Sequence, residues 1–214
     1  MYDGQATMCQ EDEDVPEISD AMRMVCEGFP GESWVNVEGQ PVEGNYPTEF
    51  VKALTESGYL GALIPEEYGG SGMPIRAGAV ILETIHETGG SAGACHAQMY
   101  TMGTVLRHGS DAQKKLYLPK IASGDLRLQA FGVTEPTTGS DTTQLKTRAV
   151  KDGDDYIVNG QKVWTSPALH SDLLLLPARP ESADTVKKRS DGLSTFLINQ
   201  SQPQGNEKHN KPHE

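Results

Sequence analysis

Phe131-Gly132-Val133-Thr134-Glu135-Pro136-Thr137-Thr138-Gly139-Ser140-Asp141 is followed, after one predicted hairpin, by Asn159-Gly160-Gln161-Lys162-Val163-Trp164-Thr165-Ser166. The first stretch reads as the end of a strand running into a turn. Thr134 offers a hydroxyl at the strand end, Pro136 turns the chain, Gly139 permits close backbone approach to an anionic or bulky ligand, and Ser140 adds a donor. On a strand over 162–166, Trp164 and Ser166 share one face and set an aromatic wall beside a hydroxyl. Residue types alone leave two readings open: a ligand site, or an ordinary turn and a core tryptophan.

Outward from this stretch the period of the apolar residues changes. On its N-terminal side helical spacing dominates. A helix is expected from Ile18 to about Glu27, with Met22, Val25 and Cys26 inward, and a second over Thr48–Ser57, closed by Gly58. Between them Pro30, Gly31, Gly39, Pro41 and Gly44 predict a loop over 28–47, and a glycine-rich loop covers 64–72. A third helix follows Pro74, with Ile75, Ala79, Leu82 and Ile85 inward. A fourth, capped by Ser91, carries Ala92, Cys95, Met99, Met102 and Leu106 at intervals of three and four. The fifth runs from a cap at Asp111 to Gly124, with Leu116 and Ile121 inward.

Beyond Leu126 the segments 126–133, 145–150, 156–158, 162–166, 172–176 and 193–198 have strand character, with Asp152-Gly153 and Asn159-Gly160 as hairpin turns. The expected fold class is α+β: an amino-terminal helical bundle over 15–125, then an incomplete antiparallel β domain over 126–199. Gln200 to Glu214 has no aliphatic or aromatic side chain and is expected to be a disordered polar tail. Its two histidines are too sparsely supported to predict a metal site.

The 214 residues hold 18 Lys and Arg against 30 Asp and Glu, a formal net charge of −12, which argues against nucleic acid as a partner. Seven acids and no Lys or Arg in the first twenty residues are the reverse of a transit peptide, and no apolar run reaches membrane-spanning length. Three widely spaced cysteines, Cys9, Cys26 and Cys95, suit free thiols, so a cytoplasmic location without membrane association is expected. Cys95-His96 does not predict a nucleophilic dyad, because adjacent helical positions diverge by about 100°.

Four motifs in order are shared with one family: Pro65-Glu-Glu-Tyr-Gly-Gly-Ser-Gly72, Gly109-Ser-x-x-Gln-Lys-x-x-Tyr-Leu-Pro119, Val133-Thr-Glu-Pro-x-x-Gly-Ser-Asp141 and Asn159-Gly-x-Lys-x-Trp164. From about Val15 to Asn199 the chain resembles the amino-terminal helical domain and most of the middle β domain of an acyl-CoA dehydrogenase. The resemblance implies noncovalent FAD and α,β-dehydrogenation of an acyl-CoA thioester. By that resemblance the backbone at Phe131 and Val133 and the Thr134 hydroxyl contact the pyrimidine edge of the ring. Gly139 and Ser140 lie toward the pyrophosphate, Ser140 also toward the CoA thioester arm. Trp164 flanks the ring, Ser166 donates toward N5, and His96 lies near the floor of the acyl pocket, where it disfavours a long straight alkyl chain.

The family's glutamate base belongs to a carboxy-terminal helical domain that is not represented here, so no catalytic residue is assigned, neither Glu135 nor Glu83. Pro167 also departs from the pattern, standing where a backbone donor is expected. Implied partners are an acyl-CoA, an electron-transfer flavoprotein or similar acceptor, and further copies of the chain or a separate C-terminal half. Two other readings stay open: an oxidase or monooxygenase on the same scaffold, and a non-catalytic remnant or interaction module.

Overall fold

The computed structural model describes residues 15–41 and 44–200. The acidic opening and positions 201–214 of the polar tail lie outside the described residues. Chain contacts divide between Leu126 and Arg127 into two compact units.

The first unit is helical: α1 (Val15–Glu27), α2 (Gly31–Glu38), α3 (Thr48–Glu56), α4 (Ile75–Glu87), α5 (Gly93–His108) and α6 (Asp111–Ser123), with single 3-10 turns at Tyr59–Gly61 and Glu66–Tyr68. Helix α2 corrects the expected loop over 28–47. Its prolines and glycines gather at the ends of the helix: Pro30 precedes it, Gly31 is its first residue and Gly39 ends it. One buried aromatic anchors it: Trp34 meets the edge of Phe50 at 4.8 Å between centroids and donates from Nε1 to the Phe29 carbonyl at 3.1 Å. The core gathers Met22, Phe50, Val51, Leu54, Ile81, Ile85 and Cys95. Helix α1 is pinned to α4 by a Ser19–Thr84 hydroxyl contact of 3.1 Å and an exposed Arg23–Glu87 ion pair.

Two helix faces differ from expectation. Along α4 the buried stripe is Ala77, Gly78, Ile81, Thr84 and Ile85, whereas Ile75 is 73 % exposed and Ala79 is exposed. Small and polar residues share the packed face with Ile81 and Ile85, and Gly78 lies against the Leu63 and Met99 side chains. On α6 the cap is Ser110, not Asp111, in a reciprocal box with Gln113 at 3.2 and 2.9 Å. Ile121 is buried as expected, but Leu116 is 50 % exposed and Leu118 takes its place inward.

The second unit contains β1 (Leu128–Phe131), β2 (Arg148–Asp152), β3 (Asp155–Asn159), β4 (Leu173–Ala178) and β5 (Ser194–Asn199). The order β1-β4-β5 makes one sheet, β4 pairing antiparallel with β5 but parallel with β1; β2 and β3 form an antiparallel hairpin. The α+β class holds, with the parallel β1–β4 pairing and a parallel bridge between Arg148 and Arg179 in place of a wholly antiparallel domain. Gly153 turns the β2–β3 hairpin at φ 62°. Asn159-Gly160 is no second hairpin turn: a Cβ on Gly160 would sit 2.2 Å from Thr147 Oγ1, so that glycine serves a close approach. Residues 162–166 form no strand.

Backbone crowding is tightest at Gly70, where a Cβ would fall 2.1 Å from the Ile64 carbonyl oxygen and 2.5 Å from that of Gly61. Neither atom belongs to a side chain that can rotate away. Gly70→Ala is therefore expected to cost about 3 kcal/mol or more. Urea unfolding followed by circular dichroism checks it; a change under about 0.5 kcal/mol would show that this loop yields freely.

Candidate functional site

Glu135 organises the segment after β1. It is 5 % exposed, and its carboxylate collects four donors. Oε2 accepts from the Lys146 amide at 2.7 Å; Oε1 accepts from the Thr147 amide at 2.9 Å, the Thr147 hydroxyl at 2.6 Å and Lys162 Nζ at 3.0 Å. Burial alone pushes this carboxyl upward, but the hydrogen bonds to Thr147, Lys146 and Lys162 outweigh it and hold the pKa near about 2. Burial pushes the Lys162 ammonium down, opposed by the same carboxylate. A carboxylate so fully engaged is a strut.

The strut joins three pieces of chain that are distant in sequence. Glu135 and Thr138 exchange backbone bonds of 2.8 and 3.0 Å, forming the tight turn of the Thr134–Ser140 loop. The Val163 amide donates to the Thr134 carbonyl at 2.9 Å, and Lys162 Nζ donates to the Val133 carbonyl at 3.1 Å. The two sequence motifs are thus brought side by side. Asp141 closes the loop, its carboxylate accepting from the Thr143 amide and hydroxyl at 3.1 and 2.6 Å and from Gln144 Nε2 at 2.7 Å. Those bonds hold its pKa below the usual carboxylate range.

Around this frame, donors are left over. The amides of Val133 and Thr134 and the hydroxyls of Thr134, Ser140 and Ser166 meet no protein acceptor among the described residues. Phe131, at the end of β1, pairs with Leu175. Nothing in the protein demands glycine at 139: a Cβ would meet only Thr134 Cγ2, at 3.8 Å, so its smallness leaves open space beside the loop. Trp164 departs from expectation in geometry. It is 88 % exposed, at φ 61°, in a segment that continues into Ser166 and Pro167, so Trp164 and Ser166 do not share a strand face. The open tryptophan face excludes the core-residue reading and leaves an aromatic surface available to a planar ligand.

Arg179 has a role that residue pattern alone did not suggest. It is 3 % exposed, yet its described bonds run to backbone carbonyls: Nε to Leu145 at 2.6 Å, Nη1 to Arg189 at 2.9 Å, and Nη2 to Thr143. It anchors the exit of the Gly139–Asp141 loop to β4. The available signal was a cation directly after the apolar run 173–178.

His96 belongs to the helical unit. It lines a cavity of about 430 Å³ between α4 and α5, with Ile75, Ala79 and Leu82 on one wall and Tyr100 and Leu106 on the other. Of the α4 residues expected in the core, Ile75 and Ala79 face this cavity instead, while Leu82 lines it and also packs against the core. The His96 and Tyr100 rings meet edge on at 5.1 Å. Cys95 points the other way into the core, where burial pushes its thiol up to about 12, so it forms no dyad with His96. No group of three or more His, Cys, Asp or Glu among the described residues could hold a metal, and no described helix is long and apolar enough to cross a membrane.

Residues 17–125 match the acyl-CoA dehydrogenase N-terminal domain, and residues 130–213 match the acyl-CoA dehydrogenase middle domain. The chain is 38 % identical over 172 residues to a glutaryl-CoA dehydrogenase of Desulfococcus multivorans, covering 78 % of this chain and 41 % of that one. A crystal structure of an acyl-CoA dehydrogenase from Geobacillus kaustophilus superposes with a TM-score of 0.79 at 30 % identity, covering 89 % and 49 % of the two chains. The ChsE4–ChsE5 complex of Mycobacterium tuberculosis superposes at 0.72 with 28 % identity, covering 91 % and 48 %. The chain spans less than half the length of each.

Because the Glu135 carboxyl is depressed from 4.5 to about 2, its contribution is fully present above about pH 4.5 and is lost as pH falls toward 2. Glu135→Gln should cost on the order of 3 kcal/mol at neutral pH, and the gap to the unmodified chain should narrow below about pH 4. Parallel urea titrations across that range check it. A gap independent of pH would remove the charged strut from the account.

Proposed function

The chain belongs to the acyl-CoA dehydrogenase family, and from that premise we propose that it carries the flavin-ring and pyrophosphate contacts of a flavoprotein that oxidises the Cα–Cβ bond of an acyl-CoA thioester. Members of the family are FAD-dependent flavoproteins. The observation that carries the proposal is the pairing of the two motif segments, with the leftover donors of 133–134 beside a free tryptophan face. A folded protein rarely leaves oriented donors with nothing to receive them unless a ligand or solvent does.

In this reading the backbone at Phe131 and Val133 and the Thr134 hydroxyl hold the polar edge of the ring, and Trp164 covers one face. Ser166 donates toward the reactive side of the ring. Gly139 and Ser140 give backbone room and a hydroxyl to the pyrophosphate and the CoA arm. Bound FAD supplies the acceptor for the hydride that leaves Cβ. The proton at Cα must go to a base, and the Glu135 carboxylate is unsuited: it is buried, held anionic and engaged by four donors. The proton acceptor is therefore assigned to the part of the protein represented in the longer relatives. The α4–α5 cavity takes the acyl group, and the His96–Tyr100 edge makes one end of it polar, favouring short, branched or polar acyl groups over long straight ones. An electron-transfer flavoprotein or a similar acceptor is proposed as the oxidant of the reduced cofactor, and a homo-oligomer or a separate C-terminal half as the partner.

Thr134→Ala removes a donor and should weaken FAD binding by about three- to tenfold, equivalent to about 0.5–1.5 kcal/mol. Trp164→Ala should also weaken it, yet leave stability within about 0.5 kcal/mol, because the ring is exposed. Flavin fluorescence titration and thermal melts read both, and unchanged FAD affinity in the two variants would reject the site.

Anaerobic mixing with short, branched and medium acyl-CoA compounds should bleach flavin only when the half that matches the rest of the relatives is supplied. Lack of the base alone costs about 10²–10⁴-fold. Rapid bleaching by these residues by themselves would locate a base within them.

A further inference from the structure

The contact between Lys162 and Glu135 is more than the carboxylate needs. Both side chains are nearly buried, at 10 % and 4 % exposure, with Nζ 3.0 Å from Oε1. Three other donors, the Lys146 and Thr147 amides and the Thr147 hydroxyl, already satisfy the anion. What Lys162 adds is a tie to the Val133 carbonyl at 3.1 Å and a local net charge of zero. Nearby, Arg179 ties three carbonyls and has no carboxylate among its described bonds, so tying backbone does not by itself call for a charge pair in this domain. The pair sits where charge matters: Glu135 follows Thr134 in the chain, and Lys162 precedes the Val163 amide that bonds Thr134.

We propose that Lys162 and Glu135 are positioning residues whose cancelling charges set the reduction potential of the flavin held at Val133 and Thr134, as well as fixing that backbone in place. This rests on the FAD reading above. Two-electron reduction with uptake of one proton leaves the flavin ring with one additional negative charge. A lone carboxylate near the ring edge therefore disfavours the reduced form, and a lone ammonium favours it. Removing either partner thus has a sign. A purely structural pair has none: losing either member loosens the loop and weakens both redox forms alike.

The test uses the full chain saturated with FAD, titrated anaerobically with dithionite against a reference dye at about pH 7.5, where the reduced ring is anionic. Lys162→Met should shift the relative affinity about tenfold toward oxidised FAD, a fall of about 30 mV for a two-electron couple. Glu135→Gln should shift it by a similar factor the opposite way. The double variant should return to within about threefold of the unmodified chain. Lys162→Arg, which keeps the charge, should leave the potential in place, and together with Lys162→Met it decides the matter should Glu135→Gln fail to fold. Shifts of the same sign in both single variants, or shifts below about twofold in variants that still bind FAD, overturn the proposal while leaving the FAD site intact. If the unmodified chain binds no FAD, the FAD reading falls and this inference falls with it.

Discussion

A carboxylate withdrawn from water must find its hydrogen bonds inside the protein, and Glu135 finds four of them in two stretches of chain that are remote in sequence. That requirement places the site. To supply the donors, the chain entering β2 must present two successive amides and a hydroxyl, and the chain leaving β3 must bring Lys162 alongside. Gly160 then has to pass the Thr147 side chain with no room for a Cβ. The result is a rigid frame whose outer edge carries the Val133 and Thr134 amides, neither of which is used in holding the frame together. The donors on this edge are left over because the bonds that hold the frame run through the buried carboxylate.

The division of the chain into helical and β parts was legible because period is a property of neighbours along the sequence. Five of the six helices show it, and strand character is visible in short apolar runs such as 156–158 of β3, 173–176 of β4 and 196–198 of β5. Helix α2 was hidden because its eight residues are bracketed by Pro30 and Gly39, whose local meaning is a turn, and only the contact of Trp34 with Phe50 reveals it. The segment 162–166 was misread for a related reason. Alternation of side-chain character suggests a strand, but its backbone is committed to the Thr134 carbonyl by Val163 and turns left-handed at Trp164. Tertiary hydrogen bonds override local pattern at the place proposed as a ligand site.

The site itself was legible as residue types and not as geometry. Thr134, Gly139, Ser140 and Trp164 could be picked out from donors, a glycine and an aromatic residue, yet nothing along the sequence said that Glu135 is what brings them together or that Arg179 ties the loop behind them. Along α4, hydrophobicity made Ile75 and Ala79 look like core residues. They line a cavity instead, since burial can be supplied by a bound apolar group as well as by the protein's own side chains. Helical period identifies an apolar face but not what covers it.

Charge adds a last constraint on how such a site can work. The chain has a formal net charge of −12, while the ligands proposed for it, FAD and a CoA thioester, carry phosphates. Long-range attraction is therefore no help, and ions screen charges beyond about 8–10 Å in any case. Recognition must come from donors that act over a hydrogen-bond length. Amides and hydroxyls at 133, 134 and 140 meet that condition without adding cations, and the one ammonium beside the frame is neutralised by its own carboxylate. In such a site affinity depends on how well the donors are aimed, because none carries a full charge to compensate for a misplaced bond. That is the physical reason for the rigidity around Glu135: a recognition edge made of neutral donors needs a frame that does not move.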